Sequence, residues 1–184
     1  VLLGKTCTSE HHYFSADDAT RLADLQWALD EPNVKAVIMG RGGYGMNRII
    51  DKVDFTAFQA QPKWVVGFSD ITVLHNYIQS LGIASIHGPM CGAIHAETEN
   101  DMHIQSLKYM LMGHYHPLFI EPNADNQLGS ATGTLVGGNL CMLAQMAGSP
   151  QQLKGDGNLL LIEDIGEHYY KVDRMLYTLK QSGQ

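Results

Sequence analysis

Residues 62–81, PKWVVGFSDITVLHNYIQSL, constrain the fold most tightly, because the hydrophobic period changes within them. Residues 64–68 are apolar and β-favouring and predict a buried strand, whereas from Asp70 onward Ile71, Leu74 and Ile78 fall at helical spacing. Ser69 therefore lies on a strand-to-helix corner. At such a corner the backbone N–H groups that open the helix have no intrahelical partner and point at whatever anion stands in front of them. Two readings are open. Ser69 either caps the helix, or it is the nucleophile of an elbow in which Gly67 relieves crowding two residues earlier. The elbow match is partial, since Ile71 stands where the full pattern has a second glycine.

The stretch before this corner predicts a βαβ unit. Ser15 and Asp18 fit a variant of the capping box, with Leu22, Leu25 and Leu29 on one apolar face and Pro32 and Asn33 ending the helix. Residues 34–39 form an apolar run of strand length that leads into GRGGYG, residues 40–45. Strand, helix, strand implies a parallel sheet with helices on its faces. The glycine loop fits neither the dinucleotide fingerprint nor a Walker loop, because its spacing is G-x-G-G-x-G and no GK[ST] follows. It is a tight turn, an anion cradle, or the second half of an oxyanion hole at the sheet edge where open α/β folds bind ligands.

Beyond the corner, Gly82 ends the helix and residues 84–86 predict a short strand that brings His87 to the same edge. His87 is either a hydrogen-bonded structural residue or a base. A further helix is expected within residues 91–113, capped by Asn100 with Ile104, Leu107 and Leu111 inward. The chain then turns polar and irregular. His114 and His116 have no third partner and are weak evidence for a metal. Residues 132–136 predict a strand, GGNL (137–140) a turn into a helix over 140–147, and residues 158–162 a buried apolar strand that delivers Glu163 and Asp164; a last helix covers 169–181. The expected organisation is an α/β, flavodoxin-like parallel sheet flanked by helices over residues 1–115, its first strand missing. A linker at 116–130 and part of a second α/β or β-rich domain at 131–184 follow.

Composition narrows the function. A net charge of −7 over 184 residues, with no Lys/Arg cluster, argues against nucleic acid. No run reaches the roughly 18 apolar residues of a membrane span, and no export signal opens the chain. Cys7, Cys91 and Cys141 are odd in number and widely spaced, which suggests neither disulfides nor zinc and favours a reducing cytoplasm. A non-enzymatic module binding a small anion, with Ser69 and Asp70 capping a helix over it, suits the same elements.

One ordered series of motifs is more specific. RGGYG (41–45), PK with GFSD (62–63 and 67–70), HGPM (87–90), GGNL (137–140) and IED followed by DR (162–164 and 173–174) resemble the LD-carboxypeptidase family of serine peptidases. That family includes murein tetrapeptide carboxypeptidases and microcin C immunity peptidases, which cleave peptidyl-nucleotides. The resemblance implies a cytoplasmic hydrolase that removes a C-terminal D-amino acid, typically D-alanine, from a murein peptide. It implies no cofactor or metal and suggests a homodimer. Within it Ser69 corresponds to the nucleophile and Glu163 to the acid that orients a catalytic histidine. The backbone N–H groups of Asp70 and Gly43 correspond to the oxyanion hole. The family's histidine lies downstream of the last helix, so the base is expected after Gln184. Within the chain His87 is the rival, since His75, six residues into its helix and about 9 Å along the axis, is placed away from Ser69. The RGGYG form favours the murein branch. Arg41, Lys63 and Arg174 are each available for a substrate carboxylate or for structural pairing.

Overall fold

The computed structural model describes residues 1–114 and 117–184. Three parallel strands, β1 (Ala36–Ile38), β2 (Trp64–Gly67) and β3 (Ile86–His87), form a sheet in the order β1-β2-β3, with Val37 opposite Val65, Val66 opposite Ile86, and Gly67 opposite His87. The central strand is apolar throughout because both its faces are covered. Val65 joins the large core with Leu29, Phe58, Leu74 and Ile78, and its neighbour Val66 turns to the other face and meets Leu107 of α4 (Met102–Leu111). All five of the first group and Val66 are at most 1% exposed.

Helix α1 (Asp18–Asp30) begins two residues later than a cap at Ser15 would place it. Asp17 is the cap and accepts from Thr20 N–H at 2.7 Å, while Asp18 is drawn into ion pairs with Arg21 and Arg48, each at 2.7 Å. Leu25 and Leu29 are buried as the periodicity predicts. The far end of α1 is held by Lys63, whose buried ammonium donates to the carbonyls of Ala28 (3.2 Å) and Glu31 (2.6 Å), two acceptors that the helix end leaves open. Short helix α2 (Thr56–Ala60) then leads to β2, and α3 (Thr72–Ser80) follows it after one 3₁₀ turn, Ser69–Ile71. Helix α4 is capped at Asp101 rather than Asn100.

The GGN triplet is not a turn. It is the end of strand β4 (Leu135–Asn139), which pairs in parallel with β5 (Leu159–Glu163) so that Asn139 stands opposite Glu163. Gly138 takes φ +139° and passes so close to α3 that a Cβ there would lie 2.6 Å from Thr72 Oγ1. That close approach, rather than chain reversal, is what requires the glycine. The Asn139 N–H donates to Thr72 Oγ1 at 3.0 Å, and its side chain caps α5 (Leu140–Gln145) by accepting from Met142 N–H at 3.2 Å. Strand β5 is not buried: Leu160, Leu161 and Ile162 remain 37–43% exposed, since among the described residues it has a neighbour on one side only. Helix α6 (Tyr169–Ser182) closes the chain and packs on α5, with Leu179 in the same core as Leu143, Leu74 and Phe58. Residues 117–134 carry no helix or strand. His116 lies outside the described residues; His114 packs edge-on against the Tyr109 ring.

Candidate active site

The corner between β2 and α3 is strained at one residue. Ser69 takes φ +62°, a left-handed conformation that costs a non-glycine residue on the order of 1–3 kcal/mol and persists only where the surroundings impose it. Ser69 caps nothing. Phe68 occupies the cap position without a side-chain bond, and the Ser69 hydroxyl makes no hydrogen bond to any described residue. A half-buried, unpaired hydroxyl on a strained strand-to-helix turn is the arrangement of an elbow nucleophile. Gly67 is needed beneath it, because a Cβ there would sit 3.0 Å from Ile71 and 3.1 Å from Met39.

The glycine loop lies directly against this serine. A Cβ on Gly42 would come within 2.9 Å of Ser69 Cβ and 3.2 Å of its Oγ, so any side chain at 42 would obstruct the hydroxyl. Gly43 follows at φ +87°. The loop is latched to the elbow by a side chain that the sequence suggested only as a helix cap: the buried Asp70 carboxylate accepts from Met46 N–H at 2.8 Å. Burial pushes the Asp70 carboxyl above its ordinary range, against the pull of the Met46 and Gly45 N–H groups and of Arg21. No sequence signal announces this contact, which joins positions 24 residues apart.

Glu163 and His87 meet beside the corner. β4 docks on α3 through Thr72, and the end of β5 is level with Asn139, so Glu163 emerges at the edge where β3 delivers His87. His87 Nε2 stands 3.6 Å from Glu163 Oε1, and both that oxygen and His87 Nδ1 are buried without a hydrogen bond to any described residue. Burial lowers the His87 pKa, opposed by the Glu163 charge. His87 thus approaches Glu163 as a rival base would. It makes no hydrogen bond to Ser69, however, and its ring contact on that side is with Phe68, at 6.1 Å between centroids. Asp164, the neighbouring acid, has a structural task, accepting from Cys141 N–H (3.0 Å) and Ile165 N–H (2.8 Å).

Of the three candidate cations, Lys63 holds α1 and Arg174 lies over the Tyr170 ring at 5.5 Å. Arg41 is exposed on the glycine loop and makes no ion pair with any described residue.

Comparison with known proteins gives these features a context. The model of the LD-carboxypeptidase N-terminal domain matches residues 1–88, and that of the LD-carboxypeptidase C-terminal domain matches residues 132–184. A Bacillus subtilis protein named "probable murein peptide carboxypeptidase" is 37% identical over all of this chain and 59% of its own length. The murein tetrapeptide carboxypeptidase of Pseudomonas aeruginosa is 34% identical over 98% of this chain and 62% of its own length. The chain therefore spans about three fifths of these relatives. Among solved structures, the muramoyltetrapeptide carboxypeptidase of Oxalobacter formigenes superposes with a TM-score of 0.78 at 34% identity, over 94% of this chain and 59% of that one. The wild-type microcin C7 self-immunity protein shares the fold, with a TM-score of 0.82 at 23% identity over 97% of this chain and 62% of that one.

Proposed function

Because the chain belongs to the LD-carboxypeptidase family, we propose that the natural protein is a serine carboxypeptidase that hydrolyses the L,D bond of a murein tetrapeptide and releases the C-terminal D-alanine. The observation that carries this reading is Ser69, held at φ +62° with its hydroxyl unpaired and Gly42 cleared from in front of it. In this mechanism Ser69 Oγ attacks the scissile carbonyl while a base takes its proton. The backbone N–H groups of Asp70 and Gly43 receive the oxyanion, and collapse expels D-alanine, which carries the proton away on its amine. Water then hydrolyses the acyl-enzyme by the same steps. A carboxylate at Glu163 holds the basic histidine in one tautomer and stabilises it when charged. Following the family pattern, we place that histidine after Gln184; among the described residues no imidazole is hydrogen-bonded to Ser69.

A carboxypeptidase must also recognise the free carboxylate of its substrate. Arg41 is the cation suited to it, since a guanidinium grips a carboxylate through two parallel bonds. Arg41→Met is expected to raise KM with kcat little changed. Three free thiols, a net charge of −7 and murein-directed relatives support a cytoplasmic enzyme of cell-wall recycling that acts on peptide rather than nucleic acid, and the family resemblance suggests that it works as a homodimer. Among the described residues no helix is long and apolar enough to cross a membrane.

The test uses two readouts on the natural protein. A fluorophosphonate probe should label Ser69, and murein tetrapeptide ending in D-alanine should be cleaved while the L-alanine epimer is spared. Equal cleavage of both epimers would sink the L,D assignment, and release of the nucleotide part of a microcin-like substrate instead would move the protein to the immunity branch.

A further inference from the structure

We propose that His75 is a positioning residue for the nucleophile, an imidazole strapped across the strand-to-helix corner that carries Ser69; this rests on the serine-peptidase reading above. The strap spans both arms of the corner. His75 sits one turn into α3, the helix arm, and its Nε2 reaches back 2.9 Å to the carbonyl of Gly67, the last residue of the strand arm. Its other nitrogen, Nδ1, is 2.8 Å from Ser85 Oγ in the segment that leads into β3. One ring therefore ties together three pieces of chain around the corner: β2, α3 and the approach to β3.

The chemistry of the partners fixes the tautomer. A carbonyl oxygen only accepts, so Nε2 carries the proton and donates to Gly67, and Nδ1 accepts from the Ser85 hydroxyl. The ring is 7% exposed, and burial holds it neutral by lowering its pKa to about 4. Gly67 O receives a second bond from Gly88 N–H at 3.1 Å, so both its lone pairs are engaged and the peptide two residues before Ser69 cannot rotate freely. A left-handed serine persists only where its neighbours over-determine it. On the strand arm that constraint comes from the doubly held Gly67 carbonyl, and on the helix arm from the buried Asp70.

The experiment compares His75→Leu, His75→Gln and Ser85→Ala in the natural protein, reading kcat and KM for D-alanine release, the rate of fluorophosphonate labelling at Ser69, and the melting midpoint. Displacing a reacting group by an ångström can cost about 10²-fold in rate, so His75→Leu is expected to lower kcat and labelling at least about tenfold with KM within about twofold. His75→Gln, whose amide nitrogen can still donate to Gly67 O, should recover most of the rate. Ser85→Ala should give an intermediate loss and covers the case in which the leucine variant fails to fold. Wild-type kcat in His75→Leu, or in Ser85→Ala if the leucine variant is unfolded, would overturn the proposal. So would equal impairment of the leucine and glutamine variants in step with their melting points. If the wild type labels at Ser69 and the variants label equally fast, the strap falls and the nucleophile stands. If the wild type itself fails to label and to release D-alanine, both fall.

Discussion

At the scale of single residues, the two acids that end β5 have different work, although they are adjacent in sequence. Glu163 points an unpaired buried oxygen toward the imidazole side of the site, while Asp164 is spent on two backbone N–H groups. Glu163→Gln is therefore expected to lower kcat by about 10² to 10⁴, as carboxylate-to-amide changes do in related triads, and Asp164→Asn to act mainly on the melting midpoint. Steady-state kinetics of the pair decides it: the reverse order would hand the role to Asp164. The places of Ser69 and Glu163 at strand ends were legible in the sequence, because each closes a run of strand character. The side chain of Asp70 and the ring of His75 were not. Their partners, Met46, Gly67 and Ser85, are set by how three segments fold back on one another, which no local period encodes.

At the scale of elements, the parallel βαβ order was readable from alternating strand and helix patterns, and β2 and α3 fall where the change of period puts them. Two elements differ from expectation for physical reasons. The glycines of GGN resemble a turn, yet they extend β4, because closeness to Thr72 and to the β5 backbone, not a reversal, is what excludes a side chain. The apolar run of β5 resembles a central strand but is half-exposed, since burial depends on neighbours that a strand's own sequence does not name. The element whose placement matters most to the site is the glycine loop, held by Asp70. Asp70→Ala leaves the Met46 N–H without its buried acceptor, at a cost of about 1–3 kcal/mol, and should also slow turnover by freeing the loop. Asp70→Asn keeps an acceptor and should come close to wild type. Denaturant titration and amide exchange at Met46 check this, and unchanged exchange in the alanine variant would contradict the latch.

At the scale of the whole molecule, a single core runs from Leu25 and Phe58 through α3 to Leu143 and Leu179, so the corner at Ser69 is supported from both halves of the chain. The ordered motifs made the family legible, whereas the continuity of that core was not, because it depends on β4 docking against Thr72. Buried His75 should make stability depend on pH. Its pKa falls from 6.5 to about 4 on folding, so between those values the unfolded chain binds more protons, and stability is full above 6.5 and lost as pH falls toward 4. The loss is on the order of 3 kcal/mol, because each pH unit between the two values is worth about 1.4 kcal/mol. The lowered pKa of His87 acts in the same direction, and the stabilisation from Asp18, held down by Arg48 and Arg21, is present above its ordinary value near 3.8 and is lost only as pH falls below it. Chemical denaturation at pH 4.5, 5.5 and 6.5 should therefore show a flatter profile in His75→Gln than in the wild type; parallel profiles would mean the ring is not buried as described. The most direct test of the central claim is the rate of D-alanine release from murein tetrapeptide by natural protein carrying Ser69→Ala. Loss of a triad nucleophile costs on the order of 10⁶ in turnover, and release should fall to background while the melting midpoint holds. A folded variant that keeps a tenth of the wild-type rate would remove Ser69 from the chemistry.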